Sequence, residues 1–284
     1  MPATFWSHTI WFLLLGIIIL VQVIIAFVKA EDKQHFTALY IVVSGMEFTV
    51  ELIIYCFFRV YDYFPMIFPN SPIDDGLAGN LFSQFSLAAT AMVVSVYNLR
   101  YYWMIIFAAI YCLIEALFLH LGIYAHNFYS IWVTFFALQL LFVVTKQLYR
   151  HRVVFTTIAW LKYYFLYLGL FTLHMPTVFW IQVLTGVVKP NIQLLSNEMR
   201  SYALIAFLNL IILSIGCMFI YFSKLKWVLK LAGIVVLYSI LYYGKQMQFI
   251  YVKEGWFFLF ATIDIGGMFF FILIMSKLMK KIGH

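Results

Sequence analysis

Two glutamates interrupt the apolar stretch GMEFTVELII, which runs from Gly45 to Ile54. Glu47 and Glu51 are four residues apart, so on a helix they share one face, about 40° apart in projection. A charged carboxylate inside hydrocarbon is costly, and ionisable residues in such segments usually serve a proton, ion or ligand pathway. The pair is therefore the first place in this chain where chemistry is expected.

Polar side chains interrupt several other apolar segments at a similar depth. With about 1.5 Å of rise per residue, we place residues from six predicted helices in one layer of the outer half of a membrane. The predicted ligand or proton site consists of Glu47, Glu51, Glu115, Asp264, Lys162, Gln84 and Asn209.

Four acids and one lysine give this layer a formal charge of −3. Three arrangements would compensate it: protonation of some carboxyl groups, a bound cation or cationic ligand, or a water-filled cavity. The alternative is structural, because buried Glu–Lys and Glu–Tyr pairs can simply hold helices together.

The longest segment predicted to be non-helical, YDYFPMIFPNSPIDDGLAGN, covers residues 61–80. Charged residues in or beside it are candidates for the outer mouth of the site: Arg59, Asp62, Asp74 and Asp75. Asp74 and Asp75 have a structural alternative, since acids are favoured in the first turn of a helix.

Aromatic and histidine residues also collect near the predicted membrane surfaces. We interpret the Tyr, Phe and Trp residues at 61–68, 101–103 and 128–129 as an interfacial belt. His120 and His174 lie near the predicted outer surface, and we interpret them as interfacial too.

The composition defines the class of protein that carries these residues. Of the 284 residues, 65% are apolar, 21% aromatic and 10% charged, and the mean hydropathy is +0.99. Soluble proteins have about 25% charged residues. Long uncharged segments of about 20 residues cross a bilayer, so the chain is predicted to be a polytopic membrane protein in contact with lipid.

The sequence contains no motif for other chemistry. Cys56, Cys112 and Cys217 are isolated, which indicates neither a disulfide framework nor a zinc site. Signatures of metalloproteases, serine hydrolases and nucleotide-binding loops are missing. The basic residues are spread over short loops, so the net charge of +7 does not indicate nucleic-acid binding. We predict no cofactor or metal.

The predicted fold is all-α, a single transmembrane helix bundle that fills the chain with about nine spans, within a range of eight to ten. The spans are predicted at 9–28, 36–58, 80–98, 101–123, 128–147, 153–174, 201–222, 227–243 and 256–276. Residues 61–80 are predicted to form an outer loop, and residues 175–200 an outer interfacial or re-entrant segment. We detect no internal repeat in the sequence.

Lysine and arginine residues predict the orientation, because they are in excess on the cytoplasmic side. With the N-terminus outside and the C-terminus inside, the inner segments hold twelve of these residues and the outer segments five. Residues 153–188 leave an alternative, because this stretch is long for one helix and short for two. A second span there would weaken the bias to ten against seven, so we predict one.

Three segments carry a family resemblance: IDDGLAGNLFSQFS at 73–86, NLRYYW at 98–103 and IEALFLHLGIY at 114–124. They resemble uncharacterised multi-pass membrane proteins of Bacillus-type Firmicutes. The resemblance implies a bacterial cytoplasmic membrane location, and it carries over no functional residue.

Three functions remain open at this point. The first is a proton- or cation-coupled carrier of a small solute that uses the intramembrane carboxyl groups. The second is a binding, sensor or assembly protein whose polar residues hold helices together or receive a protein partner. The third is an intramembrane enzyme acting on a lipid-linked substrate, which requires an acid and a reaction partner at a lipid-accessible cavity.

Overall fold

The computed structural model describes residues 5–58, 60–179, 185–190 and 198–280. Nine α-helices form within these residues: α1 (Ile10–Lys29), α2 (Lys33–Phe58), α3 (Pro72–Val96), α4 (Tyr101–His120), α5 (Ile131–Arg150), α6 (Ala159–His174), α7 (Glu198–Phe222), α8 (Trp227–Gln246) and α9 (Phe257–Leu278). Two antiparallel strand pairs lie in the connections: β1 (Tyr61–Tyr63) with β2 (Tyr124–His126), and β3 (Val188–Pro190) with β4 (Ile250–Val252).

The helices confirm the predicted all-α membrane class. Eight of those described are long and apolar enough to cross a membrane, judged by length and composition. The other helix, α6, has 16 residues and continues directly into a π-helical turn, Met175–Phe179. The number of spans and the orientation of the termini remain predictions.

The third helix begins earlier than the sequence prediction of residue 80, so the prediction of a loop through 61–80 was wrong in its second half. α3 begins at Pro72, and Asp74 and Asp75 lie in its first turn. Proline suits the first position of a helix, and acids favour its positive end. Polar residues near the start lowered the local hydropathy and concealed this extension.

The sixth predicted span, 153–174, was also misplaced at its start. Val153–Phe155 form a single 3₁₀ turn, and α6 begins only at Ala159. Lys162 is therefore in the first turn of α6 and exposed, not at the middle of a span. Within the predicted interfacial segment 175–200, the ranges 180–184 and 191–197 lie outside the described residues.

The chain forms two compact units, Met1–Ile158 with α1–α5 and Ala159–His284 with α6–α9. In the first unit α3 is central and packs against α1, α2 and α5. Its buried Ala88, Ala91 and Met92 belong to the core cluster of this unit. The small side chains of Ala88 and Ala91 let neighbouring helices approach closely.

Contacts within the first unit fix the alternating direction of its helices. Thr9, at the start of α1, donates a hydrogen bond to the Pro65 carbonyl in the α2–α3 connection, at 3.0 Å. At the opposite ends, Arg152 after α5 pairs with Asp32 before α2, at 2.9 Å. The five helices therefore run up and down in sequence, as the predicted spans require.

The second unit repeats the backbone plan of α2–α5. Each unit contains the order helix, strand, helix, helix, strand, helix, and the two strands pair with each other. α4 begins at Tyr101 and α8 at Trp227, 126 residues later. The same spacing separates the first residues of β2 and β4, Tyr124 and Ile250.

Individual backbone hydrogen bonds repeat at this spacing. The Gly122 amide donates to the Leu119 carbonyl after α4, and the Gln248 amide donates to the Lys245 carbonyl after α8. Gly122 and Gln248 both have positive φ angles, of 70° and 59°. Matching backbone geometry at matched positions defines a structural duplication, although the sequence showed no repeat.

The first strands of the two units differ in spacing by one residue. β1 begins at Tyr61 and β3 at Val188, which are 127 residues apart. The π-helical turn Met175–Phe179 follows α6, and residues 180–184 between this turn and β3 lie outside the described residues. Despite this offset, both strand pairs are antiparallel and three residues long.

β1 lies close to α3 at Gly79, and a substitution at this glycine tests that close approach. A Cβ atom at Gly79 would lie 2.7 Å from the Cβ of Tyr63, whereas one at Gly266 on α9 would meet no atom within 4 Å. We expect Gly79→Ala to lower the free energy of unfolding by about 1–3 kcal/mol through overpacking. Gly266→Ala is the matched control. Equal thermal unfolding midpoints in detergent for the two variants would contradict the close approach.

Candidate functional site

A cavity of about 330 Å³ lies inside the first unit, among α1–α5 and the β1–β2 pair. Its size falls at the lower end of the range typical of small-molecule sites, about 300–1,000 Å³. The predicted residues Glu47, Glu51, Gln84 and Glu115 all line it. The structure thus brings together four of the seven residues predicted to form the site.

The β1–β2 pair supplies aromatic side chains to this cavity. Tyr61 is opposite His126 in the pair, and Tyr63 is opposite Tyr124. Residues two apart on a strand point to the same side. The rings of Tyr61 and Tyr124 are 5.3 Å apart, and the Tyr61 ring meets that of Tyr129 edge to face at 5.0 Å. These tyrosines therefore form a continuous aromatic wall.

Glu51 connects three elements around the cavity. Its side chain is only 4% exposed. The Tyr61 hydroxyl on β1 donates a hydrogen bond to Glu51 Oε2, and the Asn80 amide on α3 donates to Glu51 Oε1 at 2.5 Å. The carboxyl group is thus held in place from two sides, while its helix continues to Glu47 one turn away.

Glu115 has one satisfied and one free oxygen. Its Oε1 is 2.6 Å from Nε2 of His126. Its Oε2 is buried and has no hydrogen-bond partner among the described residues, although the side chain is only 9% exposed. An unpartnered buried oxygen is costly in the absence of a ligand. Glu115 therefore offers a hydrogen-bond acceptor to an occupant of the cavity.

Gln84 and Glu47, the other two predicted residues that line the cavity, differ from each other in burial. Gln84 on α3 is buried, and it lines the cavity beside Ser83 and Ser86. Glu47 is partly buried and, within the described residues, makes no hydrogen bond or ion pair. Glu47 is therefore the cavity carboxyl group whose replacement removes the fewest hydrogen bonds and ion pairs.

The tyrosines that lie in the connections remain neutral at physiological pH. Burial is the main cause that raises the pKa of Tyr61, Tyr63 and Tyr124 above the ordinary value, and nearby carboxyl groups add to it. Burial likewise raises the pKa of Tyr129 to about 12. Each ring therefore keeps its hydroxyl proton and can donate a hydrogen bond.

The cavity extends to the surface between α2 and α5. Val50 on α2 and Leu140 on α5 line it and are 54% and 66% exposed. Apolar residues one turn away on each helix continue this border, Ile54 and Val144 among them. An apolar group can therefore enter or leave at this side, where the helices face lipid in the predicted arrangement.

The second unit contains a separate buried cluster around Asp264 on α9. His174 Nε2 is 3.0 Å from Asp264 Oδ1, and the Asn209 amide donates to Asp264 Oδ2 at 3.4 Å. His174, which we interpreted as interfacial, is only 2% exposed and lies inside the second unit. Lys162, on the exposed first turn of α6, is not part of this cluster in the described contacts.

The residues proposed for an outer mouth have different positions. Asp75 is buried and accepts hydrogen bonds from the backbone amides of Met66, Ile67 and Phe68, which gives it a structural role in the connection. Asp74 accepts from Ser71. Asp62 accepts from Asn127 at 3.2 Å. Arg59 lies outside the described residues, so a mouth at this place stays a prediction.

Sequence reasoning missed the tyrosines and His126. We assigned residues 61–68 and 128–129 to an interfacial belt, although Tyr61, Tyr63 and Tyr129 line the cavity. The alternation Tyr-Asp-Tyr at 61–63 has the two-residue period of a strand and was an available signal. No sequence signal pointed to the pairing of β1 with β2, because their partners are 65 positions apart at Tyr61 and His126.

No protein-family model, curated protein or solved structure matches this chain. The class of this protein is therefore assigned from its fold and its cavity alone. The protein is an integral membrane helix bundle with a duplicated four-helix plan and an acidic, tyrosine-lined cavity in its first unit.

Proposed function

We propose that this protein is a membrane carrier of a small solute, and that the carboxyl groups of its first-unit cavity couple solute movement to a proton or another cation. The observation that carries the proposal is the cavity itself. It combines three carboxyl groups, Glu47, Glu51 and Glu115, with a volume suited to a small molecule.

The charge of the cavity supports a coupled carrier. Its lining contains no lysine or arginine among the described residues. His126 contacts Glu115 from outside the lining and offsets at most one negative charge. The remaining carboxyl groups need a proton or a cation when water is excluded, and a carrier uses such exchangeable charge for coupling.

The duplication gives independent support. Many transporter folds are built from internal structural repeats. The enzyme hypothesis has less support, because the imidazole paired with Glu115 is not part of the cavity lining. A binding or assembly protein remains the main alternative, and it differs from a carrier by the absence of flux.

Proteoliposomes that enclose a pH-sensitive dye test the carrier. With an imposed pH gradient and a clamped potential, we expect proton flux in wild type and its loss in Glu47→Gln/Glu51→Gln. Glu254→Gln is the matched control, because Glu254 is exposed before α9 and lies in the other unit. Each protein must elute as a single peak in size exclusion. Absence of flux from well-folded wild type, both without solute and with a panel of added small solutes, would contradict proton coupling and favour the non-transporting alternative.

A further inference from the structure

We infer that the cavity of the first unit binds an organic ammonium ion with an apolar substituent, which names the substrate class and rests on the proposed function. Two features of the lining point to this ligand. Carboxyl groups supply negative charge, and five tyrosines, Tyr61, Tyr63, Tyr111, Tyr124 and Tyr129, supply aromatic surface. Aromatic cages combined with acids are the usual recognition chemistry for quaternary and alkylated ammonium groups.

The arrangement of the acids fits a molecule better than a bare metal ion. Within the described residues, no three His, Cys, Asp or Glu side chains are placed to hold one metal ion together. Hard cations such as Ca²⁺ need six to eight oxygen ligands at short range. Here the acids come from two helices, and the same cavity is also lined by apolar side chains such as Phe12, Leu15 and Leu138.

The unsatisfied groups indicate where the charged head binds. Glu115 Oε2 is buried and unpartnered, and Glu47 makes no hydrogen bond within the described residues. Glu51, in contrast, is already occupied by Tyr61 and Asn80. The ammonium head therefore lies between Glu47 and Glu115, and Glu51 holds the Tyr61 ring beside it.

The orientation of the rings supports the same place. Tyr61 Oη is engaged with Glu51, and Tyr111 Oη donates to the Ser86 carbonyl at 2.9 Å. With their hydroxyl groups directed to protein partners, these tyrosines offer ring surface to the cavity. A cation over such a face gains more when it is shielded from water.

The apolar substituent is inferred from the opening between α2 and α5. Val50 and Leu140 border the cavity and remain exposed, so a chain attached to the ammonium head would extend there without meeting a polar group. Burial of each methylene adds favourable hydrophobic energy. We therefore expect affinity to increase with chain length.

Titration calorimetry on the full chain in detergent tests the inference with three probes. Choline is a compact cation, 3,3-dimethylbutan-1-ol replaces its nitrogen by carbon at nearly the same shape, and hexyltrimethylammonium adds an apolar chain. We expect choline to bind at least tenfold more tightly than its neutral analogue, and hexyltrimethylammonium at least tenfold more tightly than choline. Equal affinity for choline and the alcohol would overturn the inference without any variant.

Two variants locate the head group. Glu47→Gln and Tyr129→Leu should each weaken hexyltrimethylammonium binding at least tenfold and leave the weak binding of the alcohol unchanged, whereas Glu254→Gln should change neither. Wild-type affinity in both variants would place the ligand elsewhere. Binding without flux in proteoliposomes would contradict the carrier and support this ligand class. Flux without binding of the cations would support the carrier and contradict this ligand class.

Discussion

Glu51→Ala is expected to lower the free energy of unfolding by about 3 kcal/mol, because it leaves two buried donors without an acceptor. These donors are the Tyr61 hydroxyl and the Asn80 amide, which come from β1 and α3. Each buried donor left unpaired costs about 1–3 kcal/mol. Thermal or denaturant unfolding in detergent, followed by tyrosine and tryptophan fluorescence, measures the loss.

A double-mutant cycle with Tyr61→Phe separates this contact from other effects of the substitution. We expect the two losses to be less than additive, because the second change removes a donor that is already unpaired. Glu254→Ala serves as the control for loss of an acid and should stay within about 0.5 kcal/mol of wild type. A Glu51→Ala protein as stable as this control would contradict the described contacts of Glu51.

Asp264→Leu is expected to produce a comparable loss in the second unit, about 3 kcal/mol, because it removes the carboxyl partner of a buried histidine. His174 keeps a second contact from Nε2 to the Asp264 backbone carbonyl at 3.1 Å, which limits the loss. Its Nδ1 is buried without a partner among the described residues. The unfolding midpoint in detergent is again the measurement.

The double variant His174→Phe/Asp264→Leu is the informative comparison for this pair. Apolar replacements of a whole buried pair are often neutral, whereas removal of one partner leaves a polar group without compensation. We therefore expect the double variant to be more stable than Asp264→Leu alone. If the double variant instead loses as much stability as the two single variants together, His174 and Asp264 do not stabilise each other.

The sequence predicted the helices well where apolar length decides the outcome. Long uncharged segments need a helix to satisfy their backbone in a membrane, so most helices were placed within a few residues. The ends of helices were predicted less accurately. The starts of α3 and α6 are set by single residues and not by a change in hydropathy. Pro72 starts one of these helices inside a polar stretch, and Arg152, with a φ of 49°, precedes the turn before the other.

The site was predicted in part for a similar reason. Helical spacing places Glu47 and Glu51 on one face, and the cavity contains both residues. The tyrosines of β1 and β2 were missed because strand pairing depends on contacts between distant segments, which short strands barely encode. The burial of His174 was missed because its partner, Asp264, is 90 residues later in the chain.

The spacing of 126 residues between matching elements is the spacing that a tandem copy of one four-helix unit would produce. A unit with an even number of crossings returns the chain to its starting side, so a second copy can follow without an extra helix. The two units share the backbone hydrogen bond that follows α4 and α8, whereas their buried polar side chains differ. One unit holds the acids and tyrosines of the cavity and the other holds the His174–Asp264 pair, so the same backbone plan supports two different buried polar groups.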